Sequence, residues 1–186
     1  MHEGEALEGA RRLMVYGVTG AGKTTAAARI SAATGIPWTP VDDLTWEADW
    51  VAVSEGEQRR RIAEVCARDS WLLDTAYGLW IDVPLARVEL IVALDYSRWF
   101  SLQRLVRRSV ARAFDKQPIC NGNTETWRQM LGRDSIIGWH FKSYRRKKER
   151  IQLWASQTEG PRVIRLTRSR DLDAWIRSLR TVEHTA

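Results

Sequence analysis

A glycine-rich segment that ends in a lysine and two threonines is the part of the sequence best suited to chemistry. Residues 17–24 read GVTGAGKT, which matches the pattern G-x-x-x-x-G-K-[ST] at every position. In such a segment the glycines let successive backbone N–H groups turn inward around phosphate oxygens, and the helix that follows points its positive end at the same anion. The residues predicted to bind the phosphates of a nucleotide are Gly17, Thr19, Gly20, Ala21, Gly22, Lys23, Thr24 and Thr25.

Three side chains of this segment have separate predicted roles. Lys23 should reach the β- and γ-phosphates of a nucleoside triphosphate, and the Thr24 hydroxyl should coordinate Mg²⁺. Thr25 is a weaker candidate for a contact with the α-phosphate. The alternative interpretation is a glycine-rich turn beside a surface lysine, but the apolar run before the segment and the Ala-rich helical pattern after it favour phosphate binding.

Aspartates follow three of the apolar runs that predict strands, at Asp42 and Asp43, at Asp74 and at Asp95. In an open parallel sheet, ligands bind beyond the carboxyl ends of the strands, so these side chains should share an edge with the phosphate-binding segment. Asp74 is predicted to hold Mg²⁺ or its waters, with a helix or turn cap as the alternative. Asp42 is predicted either to bind or deprotonate a substrate hydroxyl or to be a turn residue, and Asp95 is predicted to cap a helix.

Arginines line one side of a predicted amphipathic helix at residues 97–113. At about 100° per residue, the apolar side comprises Leu102, Leu105, Val106, Val110 and Ala113. A segment broken by Pro and Gly follows, and then a second basic cluster after Tyr144. Phosphoryl transfer requires cations around the migrating charge and a lid that excludes water, whereas the alternative is a merely solvated basic face. The candidate catalytic cations are Lys23, Arg104, Arg108, Arg145 and Arg146.

Strand-like and helix-like segments alternate along the chain. The predicted strands cover residues 13–16, 38–41, 71–73, 88–94 and 162–166. The predicted helices cover residues 24–34, 55–68, 97–113, 139–155 and 171–179. Because the strands are continuously apolar and alternate with helices, the sequence predicts an α/β fold in which a parallel sheet is covered on both faces.

The composition is typical of one domain of 186 residues in a reduced, cytoplasmic location. Residues 1–11 are predicted to be a flexible leader and residues 114–148 a mobile lid. No segment is apolar enough to span a bilayer, and the N-terminus lacks the apolar core of a signal peptide. The net charge is +6, and 14 Lys/Arg against four Asp/Glu lie between Arg98 and Arg150. This asymmetry indicates a polyanionic partner, either a nucleoside triphosphate or nucleic acid.

Taken in order, several segments resemble the adenylate-kinase-like proteins that are often labelled DNA topology modulation proteins. The resemblance covers residues 13–179 and is carried by GVTGAGKTT, GIPWTPVDDLTWEADW, SWLLDTAY, LIVALDYSRWFSLQRLVRRS, SYRRKKER and VIRLTRSRDLDAWI. It implies a three-layer fold of the nucleoside-monophosphate-kinase type, with a five-stranded parallel sheet and a basic helical lid. It also implies binding of ATP and Mg²⁺ and phosphotransfer to a small acceptor.

The same resemblance implies roles for individual residues. Arg104 and Arg108 match arginines at the base of the lid, Arg145 and Arg146 match those of the helix that returns from it, and Asp42 matches an aspartate near the acceptor. Residues 167–170, and with them Arg168, fall where related proteins pack a loop against adenine. The chain departs from the family pattern Asp-Gly-Asn-Tyr, because residues 74–77 read Asp-Thr-Ala-Tyr. This departure affects acceptor recognition more than metal binding.

Three functional hypotheses follow from these features. The first is an ATP-dependent kinase with a small phosphate-bearing or hydroxyl-bearing acceptor. The second is a nucleic-acid-associated protein, because ten tryptophans among many arginines could stack on bases, although most tryptophans are more simply packing residues. The third is a slow ATPase without an acceptor. Trp46 and Trp50 flank an acidic loop and could wall a substrate pocket, and the sequence leaves monomer and dimer open.

Overall fold

The computed structural model describes residue 7 and residues 9–75, 77–115, 121 and 136–182. Most of the predicted leader at residues 1–11 therefore lies outside the described residues, as do residues 116–120 and 122–135 of the predicted lid at residues 114–148. Residues 136–148 of the predicted lid are part of a helix. In the part of the chain that is described, no helix is both long enough and apolar enough to cross a membrane.

The described elements alternate between strand and helix for most of the chain. The strands are β1 (Arg12–Gly17), β2 (Trp38–Thr39), β3 (Trp71–Thr75), β4 (Leu90–Leu94) and β5 (Arg162–Leu166). The helices are α1 (Lys23–Thr34), α2 (Val41–Thr45), α3 (Glu55–Cys66), α4 (Asp82–Leu85), α5 (Arg98–Asp115), α6 (Ile136–Ser156) and α7 (Ser169–Val182). A short 3₁₀ helix covers Ala48–Trp50.

The strands form a five-stranded sheet in the order β2-β3-β1-β4-β5, and every pairing is parallel. Leu13 of β1 lies opposite Leu72 of β3 on one side and Leu90 of β4 on the other. The predicted parallel sheet is thus confirmed. Because the strand order reverses at β1, the carboxyl end of β1 is the switch point where open parallel sheets bind ligands.

Apolar side chains cover both faces of the sheet. On β1, Leu13 and Val15 join a buried cluster that includes side chains of α1 and α7. Met14 and Tyr16 alternate with them and join a second cluster that includes side chains of α3 and α6. Since successive residues of a strand point to opposite faces, this arrangement explains why β1 reads as a continuous apolar run.

Two predicted strand boundaries need correction. The strand predicted at residues 38–41 ends at Thr39, because Pro40 has no backbone N–H for the ladder and Val41 begins α2. The strand predicted at residues 88–94 begins at Leu90, because the backbone N–H of Val88 instead donates to Pro84 O at 2.8 Å, in the turn after α4.

Asp95 does not cap the helix that follows it, which corrects the prediction made from sequence. Ser97 does so, because its Oγ accepts from the backbone N–H of Phe100 at 3.3 Å. The Asp95 side chain is fully buried and pairs with Lys148 of α6 and Arg165 of β5. Asp95 therefore joins the end of β4 to its two neighbouring elements.

We expect Asp95→Asn to lower the free energy of unfolding by about 1–3 kcal/mol, since charged hydrogen bonds are lost while both cations keep some access to water. The side chains of Lys148 and Arg165 are 22% and 44% exposed. The control is Asp173→Asn, whose partner Arg29 is also partly exposed. Urea unfolding of both variants checks the prediction, and equal stability losses would contradict it.

The buried side of α5 differs from the predicted apolar side. Ser101, Leu105 and Ser109 are fully buried, whereas Leu102, Val106 and Val110 are only half-buried. The reason is close approach to the loop between β1 and α1. A Cβ placed on Gly20 would lie 2.3 Å from Ser101 O and 2.8 Å from Leu105 Cβ, so the side of α5 that contains Ser101 and Leu105 faces the loop.

Candidate functional site

The loop between β1 and α1 is closed tightly by its own backbone. Gly20 and Gly22 have φ angles of +83° and +89°, in the left-handed region that favours glycine. The backbone N–H of Ala21 donates to Val18 O at 3.1 Å. The helix α1 begins at Lys23 and has 12 residues. Its first N–H groups have no acceptor within the helix and point toward the inside of the loop. This geometry suits an anion.

Lys23 places its ammonium group inside the loop. Its Nζ donates to Val18 O at 3.2 Å. Burial lowers the pKa of Lys23 to about 8, while the nearby carboxylates of Asp74 and Asp42 oppose this shift and Arg108 adds to it. Charged side chains from β3, α2 and α5 are therefore close enough to act on Lys23 in this loop.

Asp74 lies at the carboxyl end of β3 and is held by neighbouring donors. Its Oδ1 accepts from the backbone N–H of Val41 at 3.1 Å and from Nε1 of Trp38 at 3.2 Å. Burial raises the pKa of Asp74, and the Thr24 hydroxyl is among the hydrogen-bond donors that oppose this rise. The carboxylate and the Thr24 hydroxyl are thus in contact at the mouth of the loop.

The pair formed by Thr24 and Asp74 fits a magnesium site of the kind that keeps few protein ligands. Both offer oxygen atoms, which Mg²⁺ prefers, and the remaining positions would belong to phosphate oxygens and water. Among the described residues, no group of three or more His, Cys, Asp and Glu side chains could hold a metal alone. The donor set therefore suits a nucleotide-bound Mg²⁺ rather than a closed structural metal site.

Asp42 of α2 is close enough to Lys23 to act on its pKa, and an aromatic residue orients its carboxylate. The hydroxyl of Tyr77 donates to Asp42 Oδ1 at 2.9 Å and accepts from Nε1 of Trp46 at 3.0 Å. Burial and the charge of Asp42 raise the pKa of Tyr77, so its hydroxyl stays protonated and donates. The result is a chain of two hydrogen bonds that runs from Trp46 through Tyr77 to the Asp42 carboxylate.

The segment after α2 holds two tryptophans next to this chain. The Trp46 and Trp50 rings meet edge to face, with centroids 5.8 Å apart. Asp49 and Trp50 have φ angles of 60° and 57°, which are uncommon for residues other than glycine. A single antiparallel bridge between Trp46 and Ala52 closes the segment. Strained backbone of this kind often accompanies a binding site.

Comparisons with known proteins agree with this architecture. No family model matches the chain, and a comparison with curated proteins finds no match. Among solved structures, a gluconokinase from Sinorhizobium meliloti 1021 aligns with 93% of each chain at 12% identity, with a TM-score of 0.53. A shikimate kinase from Acinetobacter baumannii, in complex with shikimate, aligns with 98% of each chain at 19% identity, with a TM-score of 0.51. The chain has a P-loop kinase fold. The family label that refers to DNA topology is not shown by these comparisons.

In this P-loop kinase fold, α5 brings two of the predicted arginines to the loop. A Cβ placed on Gly22 would lie 2.7 Å from Nη2 of Arg104. Arg108 is close enough to Lys23 to lower its pKa. Both arginine side chains are half-buried, which is consistent with a position over the loop rather than in bulk solvent.

Three other arginines that were predicted to belong to the site have exposed side chains. Arg145 has an 87% exposed side chain and pairs with Glu149 on the solvent side of α6. Arg146 is also exposed, although its charge acts on Tyr16 and on Lys147. Arg168 is exposed and pairs with Asp171 at the start of α7. Arg145 is thus a solvent-exposed side chain, and its predicted catalytic role and the predicted place of Arg168 beside adenine stay predictions.

Two residues of α6 contact the site region and were missed from the sequence. His140 is buried, and its Nδ1 lies 2.9 Å from Thr19 O. Burial lowers the pKa of His140. Lys147 is 2% exposed and lies near Lys23. The sequence contained an indication of this arrangement. His140, Ser143 and Lys147 are three and four positions apart, so they lie on one side of a helix, and the arginines next to Lys147 do not.

Proposed function

We propose that this protein is a kinase that transfers the γ-phosphoryl group of ATP to a hydroxyl group of a small molecule. The observation that carries the proposal is the loop between β1 and α1, which holds Lys23 Nζ 3.2 Å from Val18 O and packs against Arg104 at Gly22. Asp74, Asp42 and Arg108 are close enough to Lys23 to act on its pKa. Cations there suit the triphosphate, and the exposed Asp42 carboxylate suits an acceptor hydroxyl. The solved structures named gluconokinase and shikimate kinase agree with a small acceptor.

The transfer is a single displacement at phosphorus. The acceptor O–H donates to Asp42, and its oxygen forms a bond to the γ-phosphorus while the bond from that phosphorus to the β,γ-bridging oxygen breaks. The proton passes to Asp42 and ADP leaves. Lys23, Arg104 and Arg108 stabilise the charge on the transferring group, which is the main task of the protein in this reaction. Thr24 and, through water, Asp74 would hold Mg²⁺, which when bound supplies neutralisation of charge on the β- and γ-phosphates.

The segment at residues 41–54, which contains Asp42, is negatively charged, and this charge favours an acceptor that carries a hydroxyl group and no phosphate. Residues 41–54 contain the carboxylates Asp42, Asp43, Glu47 and Asp49 and contain no lysine or arginine. Arg61 of α3 pairs with Glu47, which offsets one of the four charges. A phosphorylated acceptor would meet like charge here, whereas a neutral or amine-bearing acceptor would not.

The test measures ADP release with a panel of sugars, polyols, hydroxy acids, nucleosides and nucleoside monophosphates, for wild type and Asp42→Asn. We expect one class of unphosphorylated acceptors to stimulate turnover. Asp42→Asn should lower the stimulated rate by about 10²–10³-fold, in the range of general base catalysis. Its KM for ATP should stay within about twofold, because Asp42 is assigned to the acceptor. Asp69→Asn is the control, since Asp69 is exposed and precedes the amino end of β3.

Three outcomes would contradict the proposal. ADP release that no acceptor changes would indicate an ATPase. Stimulation by nucleoside monophosphates alone would exclude an unphosphorylated acceptor. Lack of turnover combined with DNA binding that weakens steeply with salt would favour the nucleic-acid hypothesis, because phosphate contacts release counterions.

A further inference from the structure

Lys147 is a fully buried lysine near the phosphate loop. It is 2% exposed and is one of the largest fully buried side chains in the protein. In the described part of the chain, no carboxylate lies within ion-pair distance of its ammonium group, unlike that of the neighbouring Lys148, which pairs with Asp95. Lysine is almost never fully buried without a partner, because desolvation of its charge is costly. The burial of Lys147 therefore does not contribute to the stability of the fold, and it requires another explanation.

The course of α6 places Lys147 beside the mouth of the loop. The buried stripe of this helix begins at His140, whose ring contacts the Thr19 carbonyl at 2.9 Å. It ends at Trp154, whose ring lies edge to face with that of Tyr16, with centroids 4.8 Å apart. Lys147 lies midway along this stripe, so its side chain faces the junction between the end of β1 and the phosphate loop.

The groups around Lys147 are mainly cations. Lys23 of α1 and Arg146 and Arg150 of α6 act on it electrostatically, and together with burial they lower the pKa of Lys147 to about 7. Arg150 also acts on Tyr16 and opposes the rise of its pKa. Lys147 is buried and Lys23 is partly buried, and two such cations repel each other unless an anion lies between them. The arrangement therefore predicts a multiply charged anion as the missing partner.

We propose that Lys147 is a catalytic residue that binds the γ-phosphoryl group of the nucleotide together with Lys23. The inference rests on the proposed kinase function and assigns to Lys147 the part that the sequence suggested for Arg145 and Arg146. Lys147 contacts oxygens of the transferring group from the α6 side, while Lys23 reaches it from the loop. An ammonium group in a water-poor site stabilises developing charge more strongly than an exposed arginine does.

The test compares two ligands in the presence of Mg²⁺, ADP and the non-hydrolysable triphosphate adenylyl imidodiphosphate. Calorimetric titration of wild type, Lys147→Met, Lys147→Gln and Lys142→Met gives the affinities. We expect both Lys147 variants to bind the triphosphate about 10–100-fold more weakly, and ADP within about twofold of wild type, since charged hydrogen bonds of this strength are lost only at the γ-phosphate. Lys142→Met, on the exposed side of the same helix, should change neither affinity.

Thermal unfolding without ligand separates a functional role from a structural one. Removal of a buried unpaired charge should raise the melting temperature of Lys147→Met, whereas loss of a structural contact would lower it. ADP binding by each variant shows that the phosphate loop is still folded.

Two results would overturn the inference. If wild type binds both nucleotides and the Lys147 variants keep the wild-type ratio of triphosphate to ADP affinity, Lys147 has no role at the γ-phosphate while the kinase proposal stands. If wild type binds neither nucleotide, the kinase proposal and this inference fail together.

Discussion

Lys23→Ala should reduce acceptor-stimulated ADP release by about 10²–10³-fold, which is the usual cost of losing one preorganised group that stabilises transition-state charge. Lys23 is the side chain that the loop itself encloses, with Nζ held 3.2 Å from Val18 O. The loss should appear mainly in kcat, because the ammonium group acts most strongly as charge develops on the transferring group. Steady-state kinetics with saturating ATP measures it.

Two companion variants make the Lys23 result specific. Lys23→Arg keeps the charge but changes its shape and reach, so it should recover only a small part of the activity. Lys142→Ala removes an exposed lysine of α6 and should leave kcat within about twofold, as surface substitutions away from a site usually do. Wild-type turnover in Lys23→Ala would contradict the assigned role of the loop.

Among substitutions of a loop glycine by alanine, Gly20→Ala should lower the free energy of unfolding the most. The residue has φ +83°, and the added Cβ would lie 2.3 Å from Ser101 O of α5. The backbone penalty for a side chain in this region is about 1–2 kcal/mol, and displacement of α5 from its close contact adds to it. We expect a total loss of about 3–5 kcal/mol in the free energy of unfolding. Nucleotide binding should also weaken, because Arg104 and Arg108 move with α5.

Gly35→Ala is the matched control for this substitution. Gly35 has a similar φ of +69° at the end of α1, but a Cβ there would meet nothing within 4 Å. It should therefore lose only the backbone penalty of about 1–2 kcal/mol. Urea unfolding of both variants separates conformational strain from steric displacement. Equal losses would show that α5 does not press on the loop.

The parts of the fold that local chemistry determines were predictable from the sequence. The loop between β1 and α1 depends on glycines and a lysine within eight residues, so its pattern is contained in one short segment, while its binding of phosphate stays a prediction. The central strands are apolar on both faces, and this makes them visible as continuous runs. Both predictions concern interactions between neighbours in sequence.

Contacts between distant residues were the parts that the sequence did not reveal. Asp95 was predicted to be a helix cap, because nothing local indicates that Lys148 and Arg165 come to it from other elements. The buried side of α5 was misassigned for a related reason. Hydrophobic periodicity detects apolar surface, whereas Ser101 is buried because its side of α5 approaches the loop closely.

The residues proposed to bind the acceptor show the same division between local patterns and contacts of residues distant in sequence. Asp42 was predicted as an acceptor-binding residue from its position after an apolar run, and that role stays a prediction. The chain of hydrogen bonds from Trp46 through Tyr77 to Asp42 spans residues 31 and 35 positions apart in sequence, so no local pattern contains it. In this arrangement the Tyr77 hydroxyl orients the Asp42 carboxylate.

We propose that backbone N–H groups of residues 20–24 enclose the phosphates of a nucleotide. Titration of ¹⁵N-labelled protein with Mg²⁺ and adenylyl imidodiphosphate, followed by ¹H–¹⁵N correlation spectra, tests it directly. We predict large downfield shifts of the amide protons of Gly20, Gly22 and Lys23, because these groups begin to donate to phosphate oxygens. Spectra in which these resonances do not move, or in which the shifts are confined to the surface depression around Gly9, Val88 and Gly160, would contradict the account.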